Sequence, residues 1–401
     1  MRPLHVLLLN EYFPPDTAAT AKNAALVADA IAERHYVTVL AGRPSYDPTE
    51  RHPAYLWRRE RQGNLTIERV GSTAFSRFRM KGRIANYLSY VALAIPRALS
   101  MRPDVILAMT DPPIEGIVGA SIAKLLGRPF VYNLRDLYPD MALAGGILHS
   151  GSWTDAWETL HRKALRYAAR VIVLGEDMRE RILEKGVDPA RIVVVRDAVP
   201  FPEIPPAVDE AVVREIRGGF RFVIIHAGNL GFYGAWHTLI RAAQMLERDG
   251  MGLVFIGEGA MKPQVQQAAQ GCPNVMFLPF RPACDIPSVM AAGDLHVITI
   301  KRGLEGVVVP SKMYNILAAG RPLLAVTTEK AEVARWAERW GCGIAADPDD
   351  AEAVAKSVRS VLGAPERLEH IGFQARKLAK TYDRLNELRK FVDVIEEAAS
   401  G

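Results

Sequence analysis

Short, almost wholly apolar runs return along this chain at intervals that leave room for a helix between them, and that alternation restricts the fold more than any other feature. Leu4 to Leu9 is the first such run. The turn-rich Tyr12-Phe13-Pro14-Pro15-Asp16 follows, then an alanine-rich helical stretch from Ala21 to Glu33 and a second run, Val37 to Ala41. A strand that is apolar on both faces must be covered on both, as in a parallel sheet with crossover helices. The pattern repeats at Asp104 to Ala108, Phe130 to Asn133 and Val171 to Leu174, so residues 1–198 read as one doubly wound domain. The proline-rich stretch Val199 to Pro206 and a polar segment up to Gly219 predict a hinge over 199–219. Strands resume at Phe222 to His226, Leu253 to Ile256, Val275 to Leu278, Leu295 to Thr299 and Leu323 to Val326, separated by helical segments such as Trp236 to Arg248. A second α/β domain over 220–380 follows from them. The charged helical tail from Ala364 to Ala399, broken around Thr381-Tyr382, places 381–401 as a helix that returns to the N-terminal domain.

Two domains also suit the length, because 401 residues exceed what a single core accommodates. Three cysteines, Cys272, Cys284 and Cys342, have no metal-site spacing and are too few to staple a secreted fold, so a reducing cytoplasm is expected. Met1 to Asn10 lacks the features of a secretory signal, and no apolar run reaches about 18 residues. A net charge of +5 favours anionic partners such as nucleotides or lipid head groups without selecting one. Nothing in it asks for a nucleic acid.

In an open parallel sheet ligands gather at the carboxyl ends of the strands. Four loops of the second domain are candidates there: Gly228-Asn229-Leu230-Gly231, Gly257-Glu258-Gly259, Pro279-Phe280-Arg281 and Gly303 to Ser311. None has the G-x-G-x-x-G spacing of a dinucleotide fold or the G-K-S/T of a P-loop, which argues against dehydrogenases and ATPases. The most unusual stretch is Gly303-Leu304-Glu305-Gly306-Val307-Val308-Val309-Pro310-Ser311-Lys312. Its amides and a helix start would hold a pyrophosphate, Ser311 and Lys312 would add a hydroxyl and a cation, and Glu305 would accept sugar hydroxyls.

With these blocks the chain resembles the family 4 glycosyltransferases of GT-B fold, particularly bacterial polysaccharide enzymes similar to the colanic acid and fucosaminyl transferases. The matching blocks run in order: Glu11-Tyr12-Phe13-Pro14-Pro15, Arg135-Asp136-Leu137-Tyr138-Pro139-Asp140, Glu176-Asp177-Met178-Arg179, Ala227 to Gly231, Ala292 to His296, and Val309 through Pro322. The resemblance implies two Rossmann-like domains facing a cleft, a nucleotide diphosphate sugar held by the second and an acceptor held by the first. It also implies retention of anomeric configuration without a metal or other cofactor. Glu305 and Lys312 are then the expected catalytic pair. Gly228, Asn229, Gly231, Gly257, Lys262, Phe280, Arg281, Gly306, Val307, Val308, Ser311 and Asn315 are expected at the donor, and Asp111, Arg135 and Asp136 at the acceptor.

The chain departs from the family pattern in three places. The second of two glutamates separated by seven residues becomes Asn315, and Glu305 precedes it by ten positions instead of eight. Phe232, Tyr233 and Gly234 stand where relatives carry a basic residue, so Lys312 is expected to supply that charge, with Lys262 and Lys301-Arg302 as substitutes. The family's histidine after a strand of the first domain is replaced by Ala108 to Pro113, where Asp111 could equally cap the next helix. Between Arg51 and Arg83 nine Lys or Arg stand against Glu60 and Glu68, and apolar Ile84 to Ile95, closed by Pro96, follows. That sequence suits peripheral attachment to an anionic membrane surface, and the resemblance to enzymes acting on polyprenyl-diphosphate-linked glycans implies an acceptor of that kind. A nucleotide-sugar 2-epimerase and a non-catalytic sugar-nucleotide binder are the alternatives.

Overall fold

A computed structural model describes residues 2–46, 53–75, 79–201 and 207–401. Arg51 and Arg77 of the basic stretch and 202–206 of the hinge lie outside them. The chain divides into two units: Met1–Leu174, Arg179–Val195 and Asn386–Gly401 form the first, and Gly175–Met178 with Arg196–Leu385 the second.

The chain order begins β1 (His5–Leu9), α1 (Ala19–Ala32), β2 (Tyr36–Ala41), β3 (Trp57–Gln62), β4 (Leu65–Val70), α2 (Met80–Leu99) and β5 (Val105–Ala108). It continues α3 (Glu115–Leu126), β6 (Phe130–Asn133), α4 (Asp140–Ala144), α5 (Ser152–Tyr167), β7 (Arg170–Val173), α6 (Glu176–Glu184) and β8 (Ile192–Val194). These strands make one sheet in the order β3-β4-β2-β1-β5-β6-β7-β8. Every neighbouring pair is parallel except β3 with β4, which run antiparallel. The expected parallel sheet thus gains an antiparallel edge. β3 reads Trp-Arg-Arg-Glu-Arg-Gln and is exposed along nearly its whole length, so it carries no apolar pattern by which to recognise it. β4 is fully buried, and its Glu68 is neutralised by Arg97, whose Nε and Nη2 donate at 2.5 and 2.8 Å.

Pro96 was expected to end the helix before it. Instead α2 runs through to Leu99. One lost N–H near the last turn is offset there by the Arg97–Glu68 pair and by burial of Ala94 and Ala98.

The second unit comprises α7 (Glu210–Arg217), β9 (Phe222–Ala227), α8 (Trp236–Met245), β10 (Met251–Ile256), α9 (Lys262–Ala268), β11 (Val275–Leu278) and α10 (Ile286–Ala292). After these come β12 (Leu295–Thr299), α11 (Lys312–Ala318), β13 (Leu323–Val326), α12 (Glu332–Trp340), β14 (Gly343–Ala346), α13 (Ala351–Arg359) and α14 (Pro365–Thr381), and then α15 (Arg384–Ser400), most of which belongs to the first unit. Its six strands are all parallel, in the order β11-β10-β9-β12-β13-β14. The order reverses direction at β9 and β12, and at such a switch point the loops diverge and leave room for a ligand.

Each unit has its own core. In the first, Val6, Leu8, Val39, Leu107, Val131 and Ile172 of the sheet pack with Ala24, Val27 and Ile31 of α1. Phe391, Val392, Val394 and Ile395 of α15 join that cluster, so the C-terminal helix returns to the N-terminal domain. In the second, Ile224, Leu253, Phe255 and Val297 pack with Trp236, Leu239 and Val354.

Candidate active site

β9 is apolar until His226, which is completely buried. Desolvation, and then the nearby Lys312 ammonium, hold its pKa well below the usual imidazole range, so the ring is neutral. The edge of Trp236 fixes it, with centroids 4.8 Å apart at 85°, and Trp236 in turn donates from Nε1 to the Gly231 carbonyl at 2.6 Å. Lys312, the first residue of α11, lays its Nζ 3.2 Å from Nε2 and 3.4 Å from Nδ1 of that ring. The residue is half-buried, and desolvation of the ammonium brings its pKa down to about 7. Among the described residues no carboxylate lies within ion-pair distance of it. An ammonium against a neutral ring, with no counter-ion, is a standing demand for an anion.

Two glycine loops meet beside that charge. Gly228 has φ +136°, and a Cβ there would come 3.4 Å from Lys312 Nζ. Gly257 has φ +135°, and a Cβ there would stand 2.3 Å from the Gly228 carbonyl oxygen. Both positions therefore need glycine for conformation, and Gly257 needs it for space as well. The Gly228 amide donates to Ile256 O and the Leu230 amide to Glu258 O, each at 2.8 Å, which locks one loop to the other.

Glu305 is buried, and its two oxygens accept from Gly303 N at 2.8 Å and Thr328 Oγ1 at 2.6 Å. The Val307 and Val308 amides do not stand free as expected. They turn inward to Leu304 O at 3.1 and 3.3 Å, as a tight turn requires. Gly306 packs on the backbone of Asp177, whose carboxylate accepts from Met178 N at 2.8 Å and, at the start of α12, from Glu332 N at 3.0 Å. The Glu-Asp-Met-Arg block thus braces the loop that carries Glu305.

Other expected donor residues lie as follows. Lys262 donates to Glu258 at 2.6 Å and to Gly257 O at 3.1 Å, close to the glycine loops but already paired. Arg281 is held by Glu215 and, at 3.8 Å, by Asp285, while Phe280 beside it is 73% exposed. Arg302 is taken up by Asp347 and Asp349, at 2.7 Å each. Ser311 is exposed and makes no side-chain cap bond, and Asn229 is exposed with its carbonyl taken by Tyr233 Oη at 2.6 Å. Asn315 lines a pocket of about 410 Å³ with Arg321, Arg376 and Arg384. Sequence reasoning missed His226 and Thr328. A polar residue ending an otherwise buried strand was the one signal for His226.

In the first unit, α3 begins after Ile114, so Asp111 is not its cap. Burial raises the Asp111 pKa, opposed by a hydrogen bond from Thr20 and by Arg83 and Arg135. Asp136 acts on Tyr138 in the same neighbourhood. The expected acceptor residues are thus gathered around Asp111, together with Glu11 and Glu115, which were not expected. Among the described residues no group of three or more His, Cys, Asp or Glu is placed to hold a metal ion.

Residues 19–198 match the model of the glycosyl transferase 4-like domain, and residues 221–364 that of the glycosyl transferases group 1. The chain belongs to the family 4 glycosyltransferases. Escherichia coli (strain K12) WcaI, whose name assigns it to glycosyl transfer in colanic acid biosynthesis, is 24% identical over 401 residues, covering 96% of this chain and 97% of WcaI. Pseudomonas aeruginosa WbjE, named as a glycosyltransferase, is 27% identical over 309 residues, 75% of this chain and 76% of its own. The crystal structure of Anabaena HepE in complex with UDP superposes with a TM-score of 0.70 at 17% identity, covering all of both chains. Two parallel-sheet domains of this kind are the GT-B fold of these enzymes.

Proposed function

We propose that this chain transfers a sugar, with retention of configuration and without a metal, from a nucleoside diphosphate donor to a membrane-associated, polyprenyl-diphosphate-linked glycan during cell-surface polysaccharide synthesis. One observation carries the donor half: the Lys312 ammonium, without a carboxylate partner among the described residues, beside the Gly228 and Gly257 loops. A diphosphate there would gain Lys312 as counter-ion, and the same ammonium would stabilise the charge that develops on the leaving group. Glu305, held at both oxygens, would orient the sugar. UDP in the HepE complex makes uracil the first base to test, and the name of WcaI supports polysaccharide synthesis as the setting. Asp111, Arg135 and Asp136 are the proposed acceptor side.

Membrane contact is supported by an exposed face of the first unit. Met80, Ile84 and Leu88 of α2 stand at i, i+4, i+8 and are each between 47% and 59% exposed, with Arg79 and Lys81 beside them. Leu56 and Trp57 are exposed next to Arg58 and Arg59. An apolar stripe edged with cations suits an anionic bilayer surface, in whose plane such a helix can lie. Among the described residues no helix is long and apolar enough to cross a membrane.

A thermal-shift screen with UDP-, GDP- and dTDP-sugars tests the donor half, because a ligand of the folded state raises Tm. A rise with one nucleotide class, abolished by Lys312→Met, is expected. No rise with any of them would refute the reading. A 2-epimerase would instead convert donor alone to its epimer.

A further inference from the structure

Four carboxyl groups crowd the loops that leave the carboxyl ends of β1 and β5: Glu11, Asp16, Asp111 and Glu115. Three of them have protein partners. Asp16 Oδ1 accepts from Ser45 N and Tyr46 N at 2.9 and 2.8 Å, and Asp111 accepts from Thr20. Tyr90 Oη lies 3.0 Å from both Leu40 O and Glu115 Oε1. A hydroxyl has one hydrogen, so when Tyr90 donates to Leu40 the Glu115 carboxyl supplies its own proton to Tyr90. Burial, which pushes the Glu115 pKa up to about 8, makes that proton available.

Glu11 differs from the other three. It is 1% exposed, and neither of its side-chain oxygens has a hydrogen-bond partner among the described residues. Its amide donates to Asp111 O at 2.7 Å, which ties the two loops together and fixes the carboxyl in place. Burying a carboxyl group without a hydrogen bond is costly, and an apolar residue would remove the cost. Desolvation, then Asp111, Glu115 and Asp16, raise its pKa, and Arg83 opposes them. The groups that face it are therefore three further acids, one guanidinium and the hydroxyls of Tyr12, Tyr87 and Tyr90. None of these hydroxyls hydrogen-bonds the carboxyl, and a sugar offers several that could. Its place at the strand ends is where a parallel sheet binds ligands.

We propose that Glu11 binds the acceptor, its carboxyl group hydrogen-bonding a hydroxyl of the acceptor glycan. This rests on the acceptor-side reading given above. The full chain, its Glu11→Gln and its Glu11→Ala variants are assayed for release of nucleoside diphosphate from a sugar nucleotide that raises Tm. Octyl glucoside, galactoside, rhamnoside and N-acetylglucosaminide serve as acceptor probes. At least one glycoside is expected to speed release by the unmodified protein. Glu11→Ala should need a concentration about 10- to 100-fold higher for the half-maximal effect, and Glu11→Gln an intermediate one, while half-saturation by the donor changes less than about two-fold. Neither variant should lower the ligand-free Tm, since each removes a carboxyl that has no protein partner.

An unchanged glycoside requirement in both variants overturns the assignment, as does a lack of response to every glycoside. So does an equal loss of donor binding and Tm in both, which would mark Glu11 as structural. Failure of the donor to bind the unmodified protein is a separate result and counts against the transferase reading itself.

Discussion

Replacing Lys312 by Met should move stability and activity in opposite directions. Desolvation lowers the Lys312 pKa from 10.5 to about 7, so folding takes a group that is charged in the unfolded chain into a place that disfavours the charge. A displacement of that size sets a ceiling of about 5 kcal/mol on the destabilisation, and relaxation and partial solvent access reduce the expected gain in Lys312→Met to about 1–3 kcal/mol. The sign against pH follows from the depressed pKa. The cost is fully present below pH 7 and is relieved as pH climbs from about 7 toward 10.5, where the unfolded chain still holds the proton and the folded one does not. The variant's advantage in Tm should accordingly be largest near pH 6 and shrink by pH 10. A diphosphate within about 4 Å of the ammonium would be worth about 4 kcal/mol per charge pair at an effective dielectric of 20. Loss of Lys312 should then lower kcat/KM for the donor by about 10²- to 10³-fold. Donor affinity of the unmodified protein should fall above pH 7, as the ammonium loses its proton. Calorimetric melting across pH, with isothermal titration of UDP, reads both quantities. A lower Tm in the variant, or unaltered UDP binding, would refute the reasoning.

Three other outcomes are expected. Glu305→Gln keeps the shape but replaces one acceptor oxygen by a donor that meets either Gly303 N or Thr328 Oγ1. Steady-state kinetics should show kcat reduced about 10- to 100-fold with little change in UDP affinity. Gly257→Ala sets a methyl 2.3 Å from Gly228 O at a φ that L-residues avoid, and should cost about 2–4 kcal/mol by denaturant titration and weaken donor binding. Ile84→Glu with Leu88→Glu, both exposed, should leave Tm within a degree or two yet abolish sedimentation with phosphatidylserine vesicles at low salt; persistence of that binding would count against the membrane reading.

Most strands with a continuous apolar run were legible to within about two residues, because such a run admits few other structures; fully buried β4 was not, because Thr66, Glu68 and Arg69 interrupt its apolar pattern. Phe130–Asn133, Val275–Leu278, Leu295–Thr299 and Leu323–Val326 fell where the pattern put them. β3 did not, since an exposed edge strand is freed from alternation, and Pro96 misled because its cost is met by a pair between residues 29 apart. At the site, composition and order led to the glycine loops, Glu305 and Lys312. They said nothing of Leu304 O occupying the Val307 and Val308 amides, a matter of turn geometry.

Local pattern, then, determined the layered architecture and the two-part division, since each depends on which short segments are apolar and where turns fall, while the family was carried by the motif blocks from Glu11-Tyr12-Phe13-Pro14-Pro15 to Val309 through Pro322. Which charges lack partners was decided by the tertiary structure alone. Lys312 over the neutral ring of His226, 86 residues earlier, and Glu11 with both oxygens unpartnered beside acids that each hold at least one bond are facts about desolvation and distance, and these arise only when remote strand ends are brought together.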